Sequence, residues 1–398
     1  MTIHDITRLI VLLAGKSTAQ EFSWAVFFLS YRKLRFHTIR KAPRGYALGA
    51  RVDGCRSNRA SARECARAHS FLQKKWMRRR MQTGCGSAFD QGKGQGKNMR
   101  DYQTYIGEIC DTLLFPTEAK ETMEQAWEKI CANAAAKETF LKWLLVYEAD
   151  GKLDYKEVLK AADTAAKEAG IASYTADLLI YLLMTAHLKE RYQEKGISEQ
   201  IWLDSCMDLN WKLHECRKMY GIWGSFVSWW FDGFFEMTRF ALGRLQFELM
   251  DFPESYEKTG HVRPEGMTKV VNMHIPSCGP LKKEDCEASF RQAAAFFADA
   301  FPGEEIAFFC ESWLLYPRHR EFLSPDSGIV QFMSFFDIYK TEEGDGDLWR
   351  IYNREYDGNP EALPEETTIQ RGYKKLLLSG GHAGYGEGIF FRKKKEML

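Results

Sequence analysis

The sequence predicts a two-part fold, an all-helical segment followed by an α/β layer in which strands alternate with helices. Three observations predict it. Apolar residues recur at helical spacing from residue 99 to about 220, and after about 237 strand-like runs alternate with helix-forming ones. The chain also holds 398 residues, 45% of them apolar, which is too long for one ordinary core and rich enough for two. Finally, a formal net charge of +1 hides an asymmetry. Residues 1–98 carry 20 Lys and Arg against 5 Asp and Glu, and the remainder carries 35 against 49. Segments so different in charge are not expected to form one folding unit. The expected divisions are 1–98, 99–236 and 237–398.

Residues 1–98 hold two short apolar runs, the basic stretch "YRKLRFHTIRKAPRGYALGARVDGCRSNRASARECARAHSFLQKKWMRRRMQ" and then "GCGSAFDQGKGQGKN". Sustained periodicity is lacking. Two readings stay open: a disordered, Arg-rich nucleic-acid-binding arm, or upstream sequence translated from an early start codon. The balance of 13 Arg to 7 Lys before Met99, against 13 to 22 from there on, fits a boundary at that point.

In the helical segment, "YQTYIGEICDTLLF" places Tyr105, Ile106, Ile109 and Leu113 on one stripe. Pro116 and Thr117 open "TEAKETMEQAWEKICANAA" as a helix start. Four further helices follow, in "ETFLKWLLVYEA", "DYKEVLKAADTAAKEAG", "ASYTADLLIYLLMTAHLKERYQEKG" and "SEQIWLDSCMDLNWKLHECRKMYG", set apart by Gly, Ser or Asp. "YEADGKLDYKEV" lacks the alternating oxygen ligands of a calcium loop and reads as a helix–turn–helix connection. The aromatic "GIWGSFVSWWFDGFFEMTRF", broken by Gly, Ser and Asp, suits an interior seam or a pocket floor.

Beyond it, "RFALGRLQFELMDF" reads as one half-exposed strand, with Leu245, Phe247 and Leu249 against Arg244, Gln246 and Glu248. "TKVVNMHIP" is a second strand, "KKEDCEASFRQAAAFFADAF" a helix, and "EEIAFFCESWLLY" a third strand. "PRHREFLSPDSGIVQFMSFF" is mostly helical with a break at Pro325, "FDIYKTEE" is a strand, "TTIQRGYKKLLLSGG" a helix and "GEGIFFRKK" the closing strand. Such alternation implies a partly parallel sheet.

The ten cysteines form no CxxC pair and no Cys/His set with zinc spacing, so reduced thiols, a cytoplasmic protein and no metal are expected. No run of about 18 apolar residues suggests a membrane span. Neither a membrane nor a nucleic acid is therefore an expected partner of residues 99–398.

The stretch that invites chemistry is "VVNMHIPSCGPLKKEDCEASF", residues 270–290: a strand, a small-residue turn and the start of a long helix. Free N–H groups at a helix start attract phosphate, and Lys282 and Lys283 add positive charge. Glu284 and Asp285 are equally the ordinary partners of a helix dipole. His274 ends the incoming strand, as a base or as a structural histidine. On the next strand, Glu311 shares a face with Phe309 and Trp313, where a raised pKa would suit a base and a buried hydrogen bond would suit a scaffold. Tyr316 is a candidate acid or a packed aromatic. Cys278 and His274, four residues apart on one loop, lack an oriented third partner for nucleophilic catalysis. The glycines and His382 of "SGGHAGYGEGIFF" read as a flexible hairpin.

The order of these elements resembles the Gcn5-related N-acetyltransferase (GNAT) fold. "RFALGRLQFEL", "NMHIPSCGPL", "EASFRQAAAFF" and "CESWLLYPRHREFLSPDSGIVQFMSFFDI" more closely resemble a bacterial acyltransferase-domain family that pairs a helical N-terminal domain with a GNAT-like C-terminal one. The resemblance covers roughly 99–398 and implies a mixed sheet. It also implies acetyl-CoA or another acyl-CoA as co-substrate, held near Ser277, Cys278, Gly279, Leu281, Lys282 and Lys283. The superfamily's usual phosphate-loop signature has more glycine, whereas "PSCGPL" has one glycine and Pro280, which has no N–H to give. The implied activity is acyl transfer to an amine of a small molecule or peptide, with Glu311, His274 and Tyr316 as candidate catalytic groups. The alternative is a catalytically decayed member of the fold that binds a ligand or partner.

Overall fold

The computed structural model describes residues 100–152 and 154–397. The expectations for residues 1–98 lie outside the described residues. Six helices build the first part: α1 (Tyr102–Thr112), α2 (Thr117–Ala132), α3 (Ala134–Asp150), α4 (Tyr155–Ala169), α5 (Ser173–Glu194) and α6 (Glu199–Tyr220). Their ends are written in the sequence. Asp101, Asp154 and Ser198 accept hydrogen bonds from backbone N–H groups of the first turns of α1, α4 and α6. Gly151, Gly170 and Gly221 close α3, α4 and α6 in the left-handed conformation that a Cβ disfavours.

The middle of α5 is buried on every side, from Leu178 to Leu188. A helix apolar all round belongs inside a protein, and each of its leucines contributes about 2 kcal/mol relative to exposure. Among the described residues, no single helix is long and apolar enough to cross a membrane. The aromatic segment after α6 forms a 3₁₀ turn (Ser228–Phe231) and α7 (Asp232–Phe235), with Phe231, Phe234 and Phe235 buried.

The second part is a six-stranded mixed sheet: β1 (Arg239–Leu242), β2 (Leu245–Asp251), β3 (Lys269–His274), β4 (Glu305–Ser312), β5 (Asp337–Glu343) and β6 (Gly384–Lys393). The order is β1-β2-β3-β4-β6-β5. Only β3 and β4 run parallel; the other neighbours are antiparallel. Between β2 and β3 lies the short α8 (Glu254–Lys258), and β3 returns to β4 through α9 (Lys283–Phe296). Past β4 come 3₁₀ turns at Trp313–Leu315 and Pro317–Glu321 and helix α10 (Gly328–Met333). Helices α11 (Leu348–Tyr352) and α12 (Thr368–Leu378) separate β5 from β6, and Thr367 with Gln370 forms a capping box at the start of α12.

One face of the sheet packs Phe247, Val271, Met273, Phe308, Cys310 and Phe390 against α9 and α10, with Phe290 of α9 5.6 Å from Phe308. On the other face, Val270, Ala307, Phe309 and Ile389 gather around Phe252 and Tyr256. Toward the C-terminal ends of β3 and β4 that second face turns polar, with Glu248, Asn272, His274, Glu311 and Glu387. The β3–β4 ladder comprises Val271↔Phe308 and Asn272↔Phe309. Beyond them β3 runs on to His274 and β4 to Ser312 without pairing each other, which leaves a notch in the sheet.

Several strand expectations change. "RFALGRLQFELMDF" is a hairpin, not one strand, because Gly243 turns the chain at φ +78°. A Cβ there would lie 2.7 Å from Ser289 Oγ, the same hydroxyl that accepts from Arg244 N at 2.7 Å. Leu249, expected inside, is 40% exposed. Gln246, expected outside, is buried because its amide donates to Asp208 of α6 at 2.7 Å. The strand in "EEIAFFCESWLLY" stops at Ser312, whose hydroxyl caps the 3₁₀ turn that follows. The "PRHREF…" segment is a 3₁₀ turn plus the six-residue α10. Helices α8 and α11 were not anticipated.

Candidate active site

The loop after β3 is built around an arginine. The Arg244 guanidinium donates to the carbonyls of Pro276, Gly279 and Pro280 at 3.0, 2.8 and 3.2 Å. One cation thus gathers three loop carbonyls, and Gly279 supplies the φ of +107° that the turn requires. Lys282 is the N-cap of α9 and offers no side-chain cap, which leaves the first N–H groups of a 14-residue helix without that partner. Pro280 to Glu284 and Ser327, Gly328 and Gln331 of the facing α10 region line a cavity of about 500 Å³. Of the residues expected to hold a phosphate group, Leu281, Lys282 and Lys283 reach this cavity. Ser277, Cys278 and Gly279 do not line it. Ser277 donates instead to Glu215 of α6 at 2.7 Å. Burial pushes the Cys278 thiol upward, the state of an unreactive cysteine.

A second cavity, about 190 Å³, opens at the notch. The sheet supplies His274 and Glu311, with Met273 and Ser312 beside them; the turn after β4 supplies Trp313 and Leu314; and the α11 region supplies Asp347, Trp349 and Arg350. From the helical part come Lys212 of α6, and beyond it Val227, Trp229 and Trp230. The two parts of the chain therefore share its walls.

His274 is the most firmly held group in it. Its Nε2 lies 2.7 Å from Oε1 of Glu248, directly across the β2–β3 ladder from Asn272, and the edge of Trp230 meets its ring at 4.8 Å. Arg239 lies over Trp230 at 3.7 Å and reaches Glu248 Oε2 at 2.9 Å, while Asn272 donates to Glu248 Oε1 at 3.1 Å. Burial works to raise the Glu248 carboxyl, but the hydrogen bond from His274, with the charge and hydrogen bond of Arg239, holds it below the usual carboxylate range. Burial lowers His274, as do the charges of Arg239 and Lys212, against the opposing pull of Glu248. An ionised Glu248 can only accept, so Nε2 carries the proton and Nδ1 keeps its lone pair.

Glu311 lines the same cavity, on the face shared with Phe309 as the alternation implied. Burial raises its pKa, and Glu387, its cross-strand neighbour, raises it further. Glu387 itself stays low despite burial, because it accepts from Lys340 Nζ at 2.7 Å, Tyr339 at 2.9 Å and Ser255. Tyr316 is not brought to the cavity. It is buried beside Gly384, its hydroxyl 3.4 Å from Glu343 and 3.5 Å from the His382 carbonyl, because β4 ends at Ser312 and the turn carries Tyr316 away.

Sequence reasoning missed Lys212, Arg239, Arg244 and Glu248. Lys212 is buried and its Nζ lies 3.0 and 3.1 Å from the two Glu215 oxygens. The one available signal was the stripe Asp208, Lys212, Glu215, which puts three charges on the inner face of α6 at helical spacing. Arg244 and Glu248 were read as the solvent side of a strand.

The comparisons with known proteins agree with this architecture. The model of the N-acyltransferase N-terminal domain matches residues 105–237, and that of the GNAT-like C-terminal domain matches residues 240–390. No curated protein matches the chain. Among solved structures, the chain is similar to an acyltransferase in complex with decanoyl-CoA and teicoplanin, at 20% identity and a TM-score of 0.54 over 71% of this chain and 86% of that one. It is also similar to an acyltransferase in complex with CoA and 10C-teicoplanin, at 20% identity and a TM-score of 0.53 over 72% and 86%. At that identity the likeness is one of fold. The chain belongs to the family that joins an N-acyltransferase N-terminal domain to a GNAT-like C-terminal domain.

Proposed function

We propose that this protein is an N-acyltransferase that moves an acyl group from acyl-CoA to an amine on a small molecule or peptide. The observation that carries the reading is His274. It stands at the open end of β3, its Nε2 committed to Glu248 and its Nδ1 lone pair available, immediately before the loop that leads into α9. An amine attacks a thioester only after losing a proton. A histidine kept neutral by burial and oriented by a carboxylate is suited to take it. The same imidazole, once protonated, can return one proton to the departing thiolate, and the second proton that an ammonium sheds on becoming an amide passes to solvent.

Lys282, Lys283 and the start of α9 suit the phosphates of a coenzyme, in the cavity bounded by α10. The solved structures of similar fold hold CoA or decanoyl-CoA. That supports an acyl-CoA and leaves the chain length open to measurement, acetyl included. Teicoplanin beside decanoyl-CoA in one of them supports a small-molecule acceptor. The amine class rests on the His274 chemistry.

The test is calorimetry of the full chain with acetyl-, octanoyl- and decanoyl-CoA, followed by thiol release across a panel of amines. Binding with thiol release in the presence of an amine is the expected result. Absence of binding at millimolar acyl-CoA would overturn the coenzyme site. Binding without release for any amine would instead favour a decayed, ligand-binding member of the fold, a reading that the missing N–H of Pro280 favours.

A further inference from the structure

One charge in the 190 Å³ cavity has no partner. Glu311, an exposed residue near the end of β4, makes no hydrogen bond or ion pair through its carboxylate among the described residues, and the group opposite it in the ladder is a second carboxylate, Glu387. The other charged walls are taken. Lys212 is held by Glu215 at 3.0 Å and Arg350 by Asp347 at 2.7 Å; Glu387, outside the cavity lining, is held by Lys340 at 2.7 Å. Four tryptophans, Trp229, Trp230, Trp313 and Trp349, line the same cavity. Arg239 covers the ring of Trp230 at 3.7 Å and Arg350 that of Trp349 at 4.3 Å, cation–π contacts that a ligand ammonium can also make with an indole face. Trp313 and the 52% exposed Trp229 have no cation over them among the described residues.

Resting on the transfer reading above, we infer that the acceptor is at least a diamine. One nitrogen gives its proton to His274 and attacks, and a second, still an ammonium, sits against Glu311 and the tryptophan faces. A positive charge there supplies Glu311 with the partner it lacks and offsets the repulsion from Glu387, whereas a monoamine leaves both unrelieved. A cavity of about 190 Å³ takes roughly six groups of water size at about 30 Å³ each. The recognised part is therefore a short segment with two nitrogens, whether free or at the end of a larger molecule.

The experiment compares 1,4-diaminobutane, butylamine and 4-aminobutanoate by calorimetry on the full chain and its Glu311→Gln and Glu311→Asp variants. Thiol release from acyl-CoA is followed in parallel. The expected result is binding of the diamine about tenfold tighter than butylamine. The aminobutanoate should bind weakest, and the preference should be lost in Glu311→Gln and largely kept in Glu311→Asp. Equal binding of diamine and monoamine, no binding of either, or a preference that survives Glu311→Gln would overturn the inference. The two readings fail separately. A diamine preference without any thiol release keeps the cation site and removes transfer, whereas equal kcat/KM for monoamine and diamine keeps transfer and removes the cation site.

Discussion

The two sides of the notch cavity are made differently. The sheet side is a strand end, with His274 anchored to Glu248 on the adjacent strand and Glu311 on the strand beyond. The helical side is a buried ion pair, Lys212–Glu215, and two tryptophans on a 3₁₀ turn. Each strand end is laddered on one side, His274 opposite Gln246 and Glu311 opposite Glu387, which fixes the backbone and leaves the other side open to the notch, and so it suits a group that must act on a proton. A helix face brought in from another part of the chain sets shape and charge. On this division the sheet side governs the chemical step, and the helical side governs folding of the seam and choice of acceptor.

The sharpest break in that comparison is His274→Ala. Loss of a general base typically costs about 10²- to 10⁴-fold in rate, and kcat/KM for amine acylation should fall by that order while the acyl-CoA affinity holds. The wild-type pH profile adds a sign. Catalysis needs the neutral imidazole, and the His274 pKa lies below the ordinary histidine value, chiefly through burial. Activity should therefore hold down through pH 6.5 and fall only on further acidification. A limb centred above 6.5, or a His274→Ala enzyme of near-normal rate, would remove His274 from the chemistry.

On the helical side the largest effect should be on stability. Lys212→Met takes the cation from Glu215, a carboxylate whose side chain is 13% exposed and which keeps the Ser277 hydroxyl as a donor, and breaking a buried pair from one end costs about 3–5 kcal/mol. Replacing both residues by apolar ones of similar size should recover most of that loss in chemical denaturation. A single variant as stable as wild type would show that the seam does not depend on this pair.

How much of this was legible follows from the range of the interactions. Strands β3, β5 and β6 and helices α1 to α6 were readable because their signals are local: apolar spacing, a capping Asp or Ser, a closing Gly. His274 and Glu311 were readable as candidates because each ends a β-branched or aromatic run. Glu248 and Gln246 were not, since the same alternation that marks a strand assigned them to solvent. Their partners, His274 and Asp208, lie 26 and 38 residues away. The strand expected to run on to Tyr316 ends early for a local reason: Trp313–Leu315 is apolar enough to continue a strand, yet Ser312 caps a turn there.

A smaller effect should separate the two cavities. Gly328 of α10 leaves no room beside the loop, and a Cβ on it would sit 2.3 Å from the Leu281 carbonyl. Gly328→Ala should push that loop aside at about 1–3 kcal/mol of strain and raise KM for acyl-CoA, with the acceptor KM little changed. Equal increases in both would mean that loop and notch act as one site.

Trp229→Ala is the converse and should be the mildest in stability. The side chain is half exposed, so the loss on folding should stay within about 0.5 kcal/mol. Its ring nonetheless forms part of the acceptor wall contributed by the helical part, edge-on to Trp230 at 6.0 Å. KM for the acceptor should rise several-fold, with kcat and the KM for acyl-CoA held, because an aromatic wall that binds ground and transition state alike changes affinity without changing the barrier. A fall in kcat with KM unchanged would place Trp229 with His274 on the chemical side, and the division between a sheet that reacts and a helical wall that selects would not stand.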